Sequence, residues 1–263
     1  MKSSFYIITA LTNMHVGSGE NNFNIIDNEV QKDVLTGYPV INSSSLKGSL
    51  REYCKNKLNE DYIFGSHKSI GMYKFFSGKL LCIPVRSTYR TFYRATCFGI
   101  LEELLETIKD FNINNCDKLK KEIHALIKLH VNKNSALILK ADNKNEEKIS
   151  RIEDLSAQEN DELRINIGEI TKVFGEDLVL LNDGDFNAIV KNLPVVARNC
   201  LDNGESKNLW YEEIVPRESR FYFQVIKGEK DDGQFDKVLQ ENIVQIGGNS
   251  TIGYGYTKIL KLK

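Results

Sequence analysis

Residues 42–53 read NSSSLKGSLREY, a helical pattern set among segments that alternate in the manner of strands. Leu46, Leu50, Cys54 and Leu58 recur every four residues, the spacing that lines up side chains on one helical face. Three serines precede them, so the helix is expected to begin at Ser44 or Ser45 with a hydroxyl as its cap. Lys47, Arg51 and Lys55 form a second four-residue stripe, turned about 100° from the leucines and therefore beside the buried face. Unpaired N–H groups of the first turn, the serines and these cations together suit an anion such as a phosphate. An ordinary capped helix with a snorkelling basic face also accounts for them, and on these residues alone is the better account.

On either side of this helix the pattern is mixed. Phe5–Thr12 is apolar on both faces, as in a central strand, and Gly17-Ser18-Gly19 ends it. Tyr38–Ile41 and Lys79–Arg86 also read as extended. Phe98–Lys109 and Asp117–Leu129 carry leucine and isoleucine at helical spacing. Further on, Leu163–Phe174 is expected to be a strand, Asp185–Leu193 a short helix, and Val195–Ile226 extended, with DNGESKN (202–208) as a hairpin tip. The charge-dense stretch 140–162 predicts a surface insertion or mobile loop. Strands mixed with helices, with no fixed-period repeat, predict an α+β domain on an antiparallel sheet.

A chain of 263 residues with 41% hydrophobic content can bury a substantial core, read here as one domain over 1–263. Its net charge of -1 gives no global sign of a nucleic-acid partner, so any such argument must be local. Between Asp61 and Glu102 no acidic residue occurs, while Lys68, Lys74, Lys79, Arg86, Arg90 and Arg94 do. Tyr73, Phe75, Phe76, Tyr89, Phe92 and Tyr93 are interleaved with them, a mixture that suits phosphates and stacked bases. A strand pair with a solvated basic face accounts for it equally. Five scattered cysteines without a CxxC argue against a disulfide framework or zinc site and for a reducing, cytoplasmic location. No apolar run approaches a membrane span, so no membrane partner is expected.

The familiar catalytic and phosphate-binding motifs are missing: no GxGxxG or GxxxxGK[ST], no HExxH, no GxSxG. His15 is available as an acid or base, although a buried, hydrogen-bonded histidine is the commoner case. In NIIDNEVQKD (24–33), Asp27, Glu29 and Asp33 offer carboxylates for a cation or a proton, and solvated loop charges are the plain alternative. Gly247-Gly248 and Gly253-x-Gly255 permit close backbone approach or simple tight turns.

HVGSG (15–19), GYPVINSSSLKGSLR (37–51), FGS (64–66), PVRS (84–87), ARNCLDNGESKNLWYEEIVPRESRF (197–221) and IGGNSTIGYG (246–255) follow one another in this order. With them the chain resembles the RAMP superfamily of CRISPR proteins over nearly its whole length, and most of all the backbone subunits, number four, of type III-B (Cmr) effector complexes. The resemblance implies a ferredoxin-like, RRM-like palm with helical insertions and a β-hairpin thumb at about 198–221. It implies CRISPR guide RNA, target RNA, further copies of the chain in a filament and other Cmr subunits as partners. The RNA-binding residues it implies are Ser44, Ser45, Lys47, Arg51, Gly247, Gly248 and Asn249, with Arg86 and Arg198 added. Trp210 lies in the thumb, whose implied role is to wedge into the guide–target duplex. Asp27 matches the family's catalytic aspartate, which implies metal-dependent RNA cleavage with a weakly bound divalent cation, Mg or Mn. A non-catalytic scaffold of the same kind is the alternative, and a guide-processing nuclease would have to rely on His15.

Overall fold

The structure, a computed structural model, describes residues 2–19, 25–88, 90–139, 151–159 and 167–262. Strand β1 (Lys2–Ala10) buries Phe5, Tyr6, Ile7 and Ile8 in succession, as an apolar run covered on both faces requires. A short β2 (Val40–Ile41) leads into α1 (Ser43–Cys54), which turns Leu46, Leu50 and Cys54 into the core. The helix starts earlier than its serines predict. Asn42 occupies the cap position and no side chain caps it. The hydroxyl that meets the first turn comes from Ser77, which accepts from the Ser43 N–H at 3.2 Å.

Next come α2 (Glu60–Phe64), β3 (Lys74–Phe75), β4 (Gly78–Val85) and β5 (Tyr93–Cys97). The two expected amphipathic helices follow as α3 (Phe98–Asp110) and α4 (Asp117–Ile127). After β6 (Ser135–Leu139), the expected insertion over 140–162 contains two strands, β7 (Arg151–Ile152) and β8 (Leu155–Glu159). Its remaining residues lie outside the described ones. Where a strand was expected over 163–174, residues 168–174 form α5 (Gly168–Phe174), and 163–166 are not among the described residues. Ile170, Val173 and Phe174 are buried at helical spacing, a pattern too short to be told from a strand by periodicity.

The chain continues through β9 (Leu178–Leu181) and α6 (Asp183–Val190) to the hairpin β10 (Val195–Asp202) and β11 (Glu205–Glu213). It ends with β12 (Arg220–Lys227), α7 (Gln234–Glu241), β13 (Val244–Gln245) and β14 (Tyr256–Lys261). Twelve strands of the described residues form one sheet, in which β14, β1, β12 and β4 are successive antiparallel neighbours. With α1 between β1 and β4, and α7 between β12 and β14, the chain order is β-α-β-β-α-β. This is the ferredoxin-like palm. Beyond β4 the sheet runs on through β5, β9, β6, β8 and β7, where β5–β9 and β6–β8 pair in parallel rather than antiparallel.

The hairpin stands apart as its own two-stranded sheet. Asp202 pairs with Glu205 across Asn203 and Gly204, both at positive φ, the two-residue turn that an Asn-Gly pair favours. The hairpin spans Val195–Glu213 and overlaps the thumb expected at about 198–221 over 198–213. Arg220 and Phe221 instead belong to β12, whose apolar run is drawn into the palm core.

A buried ionic cluster ties α7 to the palm. The Lys227 side chain is fully buried, with Nζ 2.7 Å from Asp236 and 3.2 Å from Asp231. Lys261 reaches Asp236 at 2.7 Å, and the Tyr6 and Tyr73 hydroxyls donate to Asp236 and Asp231. Burial alone would raise the Asp236 carboxyl, but hydrogen bonds from Lys227, Lys261 and Tyr6 outweigh it and hold it below the ordinary value. Asp231 is lowered in the same way, burial being outweighed by Tyr73 and Lys227. A depressed folded-state value stabilises the fold above the unfolded carboxylate range and loses that stability as pH falls through the folded value. The melting temperature is thus expected to be flat above about pH 5 and to fall below about pH 4. Asp236→Asn should flatten that acid limb in a pH series of thermal melts. No helix among the described residues is long and apolar enough to cross a membrane.

Candidate RNA interface

The basic, aromatic stretch between Asp61 and Glu102 is largely self-satisfied. Lys79 pairs with Glu103 at 2.5 Å, Arg94 with Glu218 at 2.5 Å, Arg90 with Asp177, and Arg86 with Glu153. Its rings are also engaged: Phe75 stacks on Phe64, Phe76 meets Phe111 edge-on, Tyr73 and Tyr93 are buried, and Phe92 lies under Arg94. Tyr89 lies outside the described residues. Most of the cations of this segment are thus paired within the protein. Arg86 shares no hydrogen bond or ion pair with the cluster described below, and its guanidinium grips Glu153 at 2.7 and 2.9 Å.

Helix α1 presents the opposite case. Lys47 and Arg51 have no acidic partner among the described residues, and with Ser66, His67 and Ser69 they line a pocket of about 350 Å³. Ser44 is exposed and Ser45 half-buried at the start of the same helix. The facing loop is shaped by glycine: Gly65 sits at φ +88, and a Cβ there would lie 2.6 Å from the Gly71 nitrogen. That closeness explains the FGS block.

The second element is the loop between β13 and β14, and β13 packs against α1. Gly247, at φ +90, approaches His15 so closely that a Cβ would lie 2.4 Å from its carbonyl oxygen, while Gly248 N–H donates to that oxygen at 2.9 Å. Asn249 donates from Nδ2 to Glu212 Oε1 at 2.7 Å.

Glu212 belongs to the base of the thumb and is 4% exposed. Its second oxygen takes the Nε of Arg198, whose guanidinium also lies over the Tyr254 ring. Arg198 is thus turned inward onto Glu212, because burial of that carboxylate demands a cation beside it. His15 hydrogen-bonds through Nδ1 to the Glu213 carbonyl at 2.8 Å, with Nε2 3.6 Å from Glu212. It is a buried, satisfied histidine and not an exposed acid or base.

Asp27 is clamped to the same strand from its other side. The Asp27 and Asn28 N–H groups both donate to the Tyr211 carbonyl at 3.1 Å, and Glu213 N–H donates to the Asn28 carbonyl at 2.9 Å. In return the Tyr211 N–H donates to Asp27 Oδ2 at 2.7 Å, leaving the carboxylate exposed at the thumb's root. Trp210, half-buried, stands opposite Arg198 in the hairpin register. Asp33, by contrast, caps a turn: burial would raise its carboxyl, but the Thr36 and Leu35 N–H groups lower it. Of these acids, Asp27 is gripped by the Tyr211 N–H of the hairpin and Asp33 by its own turn.

A divalent cation takes about six oxygen ligands. Among the described residues no three of His, Cys, Asp and Glu converge, and Asp27 brings one carboxylate with an oxygen already accepting from Tyr211. The described residues by themselves therefore bring a single carboxylate, that of Asp27, to this place.

Residues 7–258 match the model of the RAMP superfamily. The chain belongs to this superfamily. This RAMP protein is 27% identical to the CRISPR system Cmr endoribonuclease Cmr4 of Pyrococcus furiosus, over 98% of this chain and 95% of that one. Its fold is similar to that in the apo state of type III-B Cmr-beta, with a TM-score of 0.80 at 24% identity, covering 99% and 97% of the two chains. It is also similar to oligomeric Cmr4 from Pyrococcus furiosus, at a TM-score of 0.74, 23% identity and 100% and 98% coverage. In this RAMP chain the residues that sequence reasoning overlooked are Glu212 and Tyr254. The available signal was the adjacent acid pair after Trp210-Tyr211: both acids are buried, Glu212 beside Arg198 and Asn249 and Glu213 beside Lys32 and the Val30 N–H, and buried carboxylates must each find partners.

Proposed function

We propose that this protein is a backbone subunit of a type III-B CRISPR effector complex, binding guide RNA and cutting complementary target RNA beside Asp27. The observation that carries the proposal is the clamp of Asp27 on the thumb strand, in a chain alike over nearly its whole length to a protein named as a Cmr endoribonuclease. Guide phosphates would lie along α1 and the glycine loop, where Ser44, Ser45, Lys47, Arg51, Gly247 and Gly248 offer N–H groups, hydroxyls and unpaired cations. Further copies of the chain and other Cmr subunits complete the assembly, a reading supported by the solved oligomeric Cmr4 and Cmr-beta structures. The exposed free thiol of Cys200 fits work in a reducing cytoplasm.

The chemistry asked of the chain is limited, since RNA carries its own nucleophile. The thumb opens the target strand so that a 2'-hydroxyl comes into line with its phosphate, which A-form stacking prevents. The 2'-oxygen then bonds to phosphorus, the bond to the 5'-oxygen breaks, and the products are a 2',3'-cyclic phosphate and a 5'-hydroxyl. Asp27 favours loss of the 2'-proton by its charge and position. Asp27 would hold a divalent cation, Mg or Mn, which would supply neutralisation of the charge developing on the phosphate.

Co-expression with the rest of the complex, followed by recovery of the bound nucleic acid, tests the reading: RNA of repeat–spacer composition is expected. Lys47→Ala and Arg51→Ala should each lower that recovery for all spacers alike and flatten the log–log salt slope by about 0.7 to 1. Protein free of RNA, or a loss confined to particular spacers, overturns it.

A further inference from the structure

Three elements meet at one buried side chain. Glu212 accepts from Asn249 of the glycine loop through Oε1 and pairs with Arg198 of β10 through Oε2, while His15 Nε2 stands 3.6 Å away. Its backbone lies beside Asn28, and the preceding residue, Tyr211, holds the Asp27 carboxylate by its N–H. A carboxylate this buried is retained only if each of its lone pairs is met, so movement of the glycine loop must be felt by the thumb. Asn249, at φ 63, donates its amide to Glu212 at 2.7 Å. The Arg198 guanidinium still has an Nη2 that is buried and without a hydrogen-bond partner among the described residues. On its Arg198 side the cluster is held by Glu212 and by the Tyr254 ring under the guanidinium.

We propose that Glu212 is a positioning residue that couples the guide-contacting glycine loop to the geometry of the thumb and of Asp27. This rests on the functional reading above. When guide phosphate orders the Gly247-Gly248 backbone, Asn249 holds Glu212, Glu212 holds Arg198 and with it β10 against β11, and the β11 backbone holds Asp27. Cleavage is in this way made conditional on a correctly seated guide, although Glu212 touches neither RNA strand.

The test uses the assembled complex with Glu212→Gln, Asn249→Ala and both together, reading guide retention, target affinity, single-turnover cleavage rate and the positions of the cuts. The expected result is a fall of about tenfold or more in rate per guide-loaded complex for each single variant, with guide retention and target affinity of Glu212→Gln within about threefold of wild type. The double variant should be no slower than the worse single one, since both changes break the same link. Cuts should scatter over neighbouring linkages. Multiplicative losses in the double variant overturn the coupling, as does a loss of guide retention in step with rate, or wild-type rate in Glu212→Gln. Glu212→Gln keeps the size and an acceptor for Asn249, so its thermal melt reports whether the thumb base has folded; a lost transition there with normal cutting by Asn249→Ala also overturns it. Asp27→Asn run alongside separates the two claims: normal cutting in that variant sinks the functional reading itself, whereas an inactive Asp27→Asn beside a fully active Glu212→Gln sinks the coupling alone.

Discussion

Asp27→Asn is expected to slow target cleavage at least about a hundredfold, the lower end of what a positioned acid–base group contributes, while guide retention and target affinity stay unchanged. The reason lies in the clamp. An asparagine carbonyl can still accept the Tyr211 N–H at the position now held by Oδ2, so the thumb root keeps its geometry and only the charge is lost. Cleavage by the wild-type protein should stop when divalent ions are chelated, and the 5' fragments should end in a 2',3'-cyclic phosphate. Glu29→Gln serves as the comparison. If it is inactive and Asp27→Asn is fully active, the essential acid lies two residues along; if both cut normally, the protein is a scaffold.

Shortening the thumb tip over Asn203–Asn208 should cost about a hundredfold in cleavage with guide binding intact, and Trp210→Ala should act in the same direction. Mispositioning by an ångström is enough for a loss of this size. The hairpin is a separate two-stranded sheet, and Leu201 and Leu209 near its tip are exposed. A shorter tip therefore leaves the palm core and the α1 pocket untouched, but removes the part that reaches the target strand. Single-turnover cleavage with guide-loaded complex measures this directly, and cutting at normal rate and spacing would contradict the thumb's role.

Much of the palm was legible because its signals are local. The apolar run of β1, the four-residue spacing of Leu46, Leu50 and Cys54, and the Asn-Gly turn of the thumb each report their own conformation. Readings failed where a partner distant in sequence intervenes. Ser44 and Ser45 lie inside α1 instead of capping it, with Ser77 meeting its first turn, and Phe221 belongs to β12, drawn into the palm core. The cations of the basic stretch between Asp61 and Glu102 meet acids that lie outside it, Glu103, Glu153, Asp177 and Glu218, so the stretch by itself could not show them paired.

By itself the sequence determined the ferredoxin-like palm, the thumb, and the choice of Asp27, Lys47, Arg51 and the glycine loop as candidates. Periodicity, turn chemistry and the ordered motif blocks are properties of short stretches, and no folding is needed to see them. Which cations remain available to an anion, and which are spent inside the protein, only the tertiary structure decided. A charged group is either hydrated or must be paired when buried, and which of these applies depends on neighbours brought together by the fold. Arg51 is left open and Arg198 is bound to Glu212 for that reason, and Asp27 acquires its fixed position from the backbone of a strand 184 residues away.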